Sequence, residues 1–383
     1  MDISTLCIHG SDDPTDCTGS VAIPIYQTAT FAHPGVGRST GYDYSRLQNP
    51  TRESLEKTIA KLEHGDDAMA FSTGMAAIAA TMELFQSGDH IIASDDLYGG
   101  SIRLFRHISE KNGLTFDFAN TCDPSAIEQY INPHTKAIFI ETPTNPMMHV
   151  TDIEKVSALA KAHHLLTIVD NTFLTPYFQN PILLGADIVV HSGTKYLSGH
   201  NDTLAGFAVT AAPKLSERLR FIYKTTGACL SPFDSWLLIR GIKTLPIRME
   251  KQQENAVKLA NWLCVHPKVK AVHYVGLPIH PDYEVTLKQT SGFGAMISFE
   301  VDSEETAWQL LEKVQLVLYA ESLGGVETLI TYPMLQTHAD VPKAERDAKG
   351  ISERLLRLSV GLENIDNIID DLEQALGKGE RKL

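Results

Sequence analysis

Between about residue 51 and residue 211 the chain alternates short, continuous apolar runs with longer stretches whose apolar positions fall three and four apart. The short runs DDAMAFS, DHIIASDD, LTFDFAN, KAIFIETP, LLTIVDNT, ADIVVHS and LAGFAVTA predict strands buried on both faces. In TRESLEKTIAKLEHG the positions Leu55, Ile59 and Leu62 share one helical face, with Gly65 as a stop. GMAAIAATMELFQSG, SIRLFRHISEKNG and DIEKVSALAKAHH predict further helices. The alternation predicts the α/β class, with a mostly parallel sheet covered on both faces. LAGFAVTA follows ADIVVHS so closely that one antiparallel or edge strand is expected.

The flanks break this rhythm. Residues 1–50, rich in Gly, Pro, Ser, Thr and Tyr, read as an extended arm before a large domain over 51–235. From 236 to 383 the texture is that of a smaller α+β domain. There SPFDSWLLIRGIKTLPIRMEKQQENAVKLANWLCVHP predicts a long helical connector interrupted at Pro246. Strands follow in KAVHYVG, GAMISFEV and LLRLSVGLE, with helices at EETAWQLLEKV and NIDNIIDDLEQAL. The last is apolar at Ile365, Ile368, Ile369, Leu372 and Leu376.

Composition narrows the choice. At 383 residues, 43% apolar and 21% charged, the chain is long enough for a sizeable core. A net charge of −14 with no basic run argues against nucleic acid or an anionic membrane as partner. The five scattered cysteines (Cys7, Cys17, Cys122, Cys229, Cys264) fit a reducing compartment and offer no thiolate metal site. With no signal-like start and no long apolar span, the expected location is the cytoplasm. His191, His200 and Asp202 lack zinc-ligand spacing, so no metal is expected.

Chemistry collects where strands end, the edge at which open α/β sheets bind ligands. Lys195 follows the strand ADIVVHS beside Ser192 and Thr194; it is either a solvated loop lysine or an amine set over an anion site. Gly74 and Met75 open a helix straight after a strand, a natural phosphate seat although a weak signal alone. Asp170, just past LLTIV, either caps the next element or faces a cationic ring nitrogen. A lysine beside phosphate-binding groups, with an aspartate on a neighbouring strand, is what pyridoxal 5'-phosphate (PLP) requires.

HSGTKYLSGHND, AFSTGMAAI, ETPTNP, IVDNTF, YDYSRLQNPTR and ESLGGVET together resemble the Cys/Met-metabolism family of PLP enzymes over nearly the whole chain. Within the family the resemblance is to the cystathionine γ-synthases and cystathionine lyases of Gram-positive bacteria. It implies PLP-dependent fold type I, like aspartate aminotransferase. It also implies that Lys195 holds the cofactor aldehyde and shuttles protons, and that Asp170 pairs with the pyridinium nitrogen. Gly74, Met75, Ser192 and Thr194 would hold the phosphate, while Tyr98 would stack on the ring as part of the catalytic set. Tyr44 and Arg46 would reach the neighbouring subunit's phosphate, implying an obligate dimer paired into a tetramer. For small amino-acid substrates, Arg357 would take the α-carboxylate, with Ser322 and Asn145 beside it and Asp43 and Glu327 for a distal ammonium. The expected reaction is γ-replacement on O-acylhomoserine by cysteine. Cleavage of cystathionine by a β- or γ-lyase is the alternative, because one catalytic set serves all three. O-acetylhomoserine sulfhydrylases and methionine γ-lyases stand further off, since they commonly lack one or both acids. A non-enzymatic binding protein would have no use for Lys195, Asp170 and Arg357 together.

Overall fold

The computed structural model describes residues 1–10, 19–339 and 341–377; Cys17 lies outside them. Among the described residues the seven apolar runs form one sheet. Its strands are β1 (Asp67–Phe71), β2 (His90–Ser94), β3 (Thr115–Ala119), β4 (Thr135–Glu141), β5 (Leu166–Asp170), β6 (Ile188–Ser192) and β7 (Gly206–Thr210). Their spatial order is β1-β7-β6-β5-β4-β2-β3, and the run from β6 to β3 is parallel. β7 is antiparallel to both β1 and β6, so the expected antiparallel strand sits inside the sheet rather than at its edge. Alternate side chains feed two cores. Ile188 and Val190 pack with Phe71 and Phe139 on one face, while Val189 and Phe207 join the connector helices on the other. Strands covered on both faces must be apolar throughout, which is why the central ones appeared as unbroken runs, whereas β3 at the edge is half-buried and carries Asp117.

The connector resolves into helices Pro232–Ile242 and Leu245–Val265, with Pro246 in the first turn of the second, where no intrahelical N–H is lost. Beyond it, β8 (Val269–His273), β9 (Met296–Val301), β10 (Leu318–Tyr319), β11 (Leu329–Thr331) and β12 (Leu355–Ser359) form a second sheet in the order β10-β11-β12-β9-β8. The helix Ile365–Leu376 closes this part; Ile365, Ile368, Leu372 and Leu376 are buried and Ile369 packs at the margin.

Several elements differ from the sequence reading, among them short helices at Pro124–Glu128, Tyr283–Gln289 and Lys343–Ala348 and the strands β10 and β11. Ile3–His9 is a helix with Cys7 buried against the chain's own core, so the extended stretch begins later. Residues 19–49 carry only isolated bridges, Thr30 with Tyr44 and Gly35 with Arg38. Pro213–Thr226, unannounced by a strong apolar period, forms a helix ended by left-handed Gly227. SIRLFRHISEKNG becomes a short α-helix, Gly99–Leu104, continued by a π-helical turn at Phe105–Ser109.

Candidate active site

The carboxyl ends of β4, β5 and β6 open into a cavity of about 220 Å³. Its wall includes Gly74, Met75, Tyr98, Asn145, Asp170, Ser192, Thr194, Lys195, Ser322 and Arg357, so ten of the expected residues meet in one place. They come from both sheets and from segments up to 283 residues apart, counting from Gly74 to Arg357.

Lys195 stands on the turn after β6. The turn is held from behind by buried Arg248, which donates to the Tyr196 carbonyl at 2.7 Å and the Gly241 carbonyl at 2.8 Å. Gly324, with φ +79°, closes on the same turn; a Cβ there would lie 2.5 Å from the Tyr196 nitrogen. The Lys195 Nζ donates to Ser322 Oγ at 2.8 Å. Burial, and then the Arg357 charge, bring the amine down to about 8 from its ordinary range.

Arg357, in β12, is 1% exposed. Its guanidinium donates to Asn145 Oδ1 at 2.8 Å, to the Ser322 carbonyl at 3.1 Å and to Thr331 Oγ1 at 3.2 Å. All three acceptors are neutral, and the buried Nε has no partner among the described residues. A buried cation left without an anion is costly, and a substrate carboxylate would supply one. Ser322 thus touches both the amine and the guanidinium, at a strained φ of +94° for a residue with a side chain.

The anion seat is equally specific. Thr73 caps the helix Gly74–Met82, its Oγ1 accepting from the Ala76 N–H at 3.0 Å, so the first-turn N–H groups of Gly74 and Met75 face the cavity mouth. A Cβ on Gly74 would come within 2.9 Å of Ser192 Cβ, which ties that position to glycine. Asp170 Oδ1 accepts from the Thr172 N–H at 3.0 Å and from its hydroxyl at 2.5 Å, while the carboxyl lines the cavity floor. The sheet behind it is braced by the buried pair His191–Glu63, 2.5 Å apart, with Asn171 Nδ2 donating to the same glutamate oxygen. A buried amine, a helix start beside two hydroxyls, a carboxylate and a buried guanidinium around one cavity fit PLP and an amino-acid substrate.

The remaining expected residues lie elsewhere in the chain. Asp43 is exposed and paired with His33 at 3.0 Å, on a different cavity shared with Glu53, Asp67 and Arg220. Tyr44 is 45% exposed, and Arg46, 5.7 Å from its ring centroid, donates to the Lys224 carbonyl. Glu327 lines an adjoining chamber of about 1010 Å³, where Asn201 Nδ2 donates to it at 2.7 Å. Two acids that the sequence reading passed over line the Lys195 cavity itself, Glu141 and Glu321. Both stood inside quoted motifs, ETPTNP and ESLGG, and only the spatial arrangement singles them out.

A mostly parallel sheet with this constellation at its carboxyl edge defines a PLP enzyme of fold type I. The chain belongs to the Cys/Met metabolism PLP-dependent enzyme family, whose model it matches over residues 4–377. The cystathionine gamma-lyase of Bacillus subtilis (strain 168) is 48% identical over 376 residues, spanning 98% of this chain and 99% of that protein. The cystathionine beta-lyase of Lactococcus lactis subsp. cremoris (strain MG1363) is 48% identical over 376 residues with the same coverage. Among solved structures, the cystathionine gamma synthase of Xanthomonas oryzae pv. oryzae, in complex with aminoacrylate and cysteine, superposes with a TM-score of 0.97 at 38% identity over 100% of both chains. The family's cofactor is PLP. Among the described residues no helix is long and apolar enough to cross a membrane.

Proposed function

We propose that this protein forms cystathionine by replacing the acyl group of an O-acylhomoserine with cysteine. The observation that supports a reacting partner with a distal ammonium, as cysteine has, is Glu321. The outer chamber and the Lys195 cavity share Thr194, Leu204, Glu321 and Ser322. Of the chamber's acids, Glu321 alone among the described residues receives no hydrogen bond: Asp202 is held by Ser198, Asp234 by Thr203 and Ser231, and Glu327 by Asn201. A free carboxylate beside the reacting amine suits a substrate whose far end carries an ammonium, as cystathionine and cysteine do.

In this reading Arg357 fixes the α-carboxylate, and Asp170 keeps the ring nitrogen protonated. Gly74, Met75, Ser192 and Thr194 seat the phosphate. Bound PLP supplies the electron sink for removal of the α-proton. Lys195 then moves protons at the α- and β-carbons, with Ser322 and the Arg357 charge setting its position and basicity. Tyr44 and Arg46 do not line their own chain's cavity, which supports a role in a neighbouring subunit's site and hence a dimer. Mixing Lys195→Ala with Arg46→Ala chains should restore part of the activity that each lacks, and no restoration would count against the shared site.

Cleavage of cystathionine is the second reading, favoured by the 48% identity to the two lyases. One assay separates them: O-acylhomoserine with cysteine in one vessel, cystathionine alone in another. Cystathionine from the first supports the proposal. Homocysteine with pyruvate from the second, and no product from the first, makes it a β-lyase; cysteine with 2-oxobutyrate makes it a γ-lyase.

A further inference from the structure

Glu141 ends β4 as Asp170 ends β5, and the two are register partners in the parallel ladder. Their side chains therefore leave the same face of the sheet, from strands about 4.8 Å apart. Both line the Lys195 cavity. Two carboxylates so placed, away from water, do not both hold a negative charge readily. The surroundings decide which takes the proton. Asp170 receives two donors from Thr172, and a cationic ring nitrogen would favour its charged form further. Glu141, 5% exposed, receives a single one, the Tyr98 N–H at 2.9 Å on Oε2.

We propose that Glu141 is a positioning residue that works as a neutral carboxylic acid, anchoring Tyr98 at the wall of the cofactor site and leaving Asp170 as the anion that faces the ring. The other charged groups around it are Asp96, from the loop after β2, and Arg357, from β12; Lys195 lines the same cavity. Asp96 is itself buried and adds to the repulsion. Arg357 opposes it but is occupied by Asn145, Ser322 and Thr331. Burial first, then Asp170, hold the Glu141 carboxyl well above the usual carboxylate range. The Tyr98 N–H sits at the start of helix Gly99–Leu104, so the carboxyl fixes where that phenol-bearing turn begins.

The inference rests on the cofactor lying between Asp170 and Lys195. It is tested on the PLP-loaded wild type and on Glu141→Gln and Glu141→Ala. Infrared difference spectra at neutral pH should contain the carbonyl stretch of a protonated carboxyl in the wild type, lost in Glu141→Gln. The pH midpoint of the visible cofactor band should be the same in Glu141→Gln and wild type, because an amide replaces a neutral acid. Glu141→Ala, which strands the Tyr98 N–H, should bind PLP roughly tenfold more weakly. Should Ala fail to fold, Gln alone decides. Absence of the protonated-carboxyl band, or a midpoint lowered in Glu141→Gln by about one unit as loss of a nearby anion requires, overturns the proposal. A wild-type protein with no visible band at all would instead defeat the cofactor placement.

Discussion

In the proposed function Lys195 attacks an aldehyde, and only a neutral amine can do so. Placement between a buried wall and the Arg357 guanidinium brings the amine down to about 8, against an ordinary value near 10.5. The sign follows directly: the neutral form is scarce below 8 and dominant above it. At pH 7 roughly a tenth of the chains carry a free neutral amine, some 300-fold more than an exposed lysine would. Capture of PLP by the cofactor-free protein should therefore rise about fivefold from pH 7 to 8 and only about twofold from 8 to 9. An ordinary lysine gains nearly tenfold over each interval. Stopped-flow growth of the visible band measures the rate, and N-acetyl-lysine in the same buffers corrects for the cofactor's own ionisations. A corrected profile that still climbs tenfold between pH 8 and 9 would refute the argument, since neither burial nor Arg357 could then be acting on the amine.

Four substitutions test the rest of the site. Arg357→Lys keeps a charge but cannot serve the Asn145, Ser322 and Thr331 acceptors together, so kcat/KM should fall about 100-fold, with most of the loss in KM; a change under threefold would remove Arg357 from the carboxylate. Glu321→Ala should lower the preference for cysteine over a thiol without an ammonium by about tenfold, and an unchanged ratio would free Glu321 from that role. For Gly324→Ala, the positive φ and the contact with the Tyr196 nitrogen should cost about 1–3 kcal/mol, seen as a lower Tm and a weakened visible band, and a wild-type melting curve would contradict it. Arg248→Met leaves the Tyr196 carbonyl without its side-chain donor, while the Gly241 carbonyl keeps the Thr244 N–H and hydroxyl, a loss of about 1–3 kcal/mol by denaturant titration; stability within error of wild type would mean that the Lys195 turn does not need this brace.

What could be read from the chain was whatever a local pattern encodes. The β6 strand and Lys195 lie within eight residues of each other, and so do the β5 strand and Asp170. The same holds for the cap at Thr73 and the glycine after it. The helix Ile3–His9 escaped notice because it is too short for a periodic signal, although Ile3, Leu6 and Cys7 pack on the core. Pro213–Thr226 escaped because its polar composition hides a face that packs on β1 and β7. The interior place of β7 depends on strand order, which no short run of sequence states.

The acids show the same boundary at the scale of single residues. Glu327, expected at the distal ammonium, lines the outer chamber with Asn201 donating to its carboxylate, and Glu321, six positions earlier, lines both cavities. Nothing local separates the two, since both are glutamates in one glycine-rich loop, and the backbone between them passes through positive φ at Ser322 and Gly324. Glu141 is harder still. Its significance requires knowing that β4 and β5 are neighbours in register, so that a second carboxylate stands beside Asp170. A lone glutamate at a strand end is an ordinary surface residue, whereas a glutamate facing an aspartate across a buried ladder has to hold a proton or find a cation. The fold thus supplies chemistry that the motif only permits: the pairing of strands, more than the identity of the residue, determines the charge Glu141 carries.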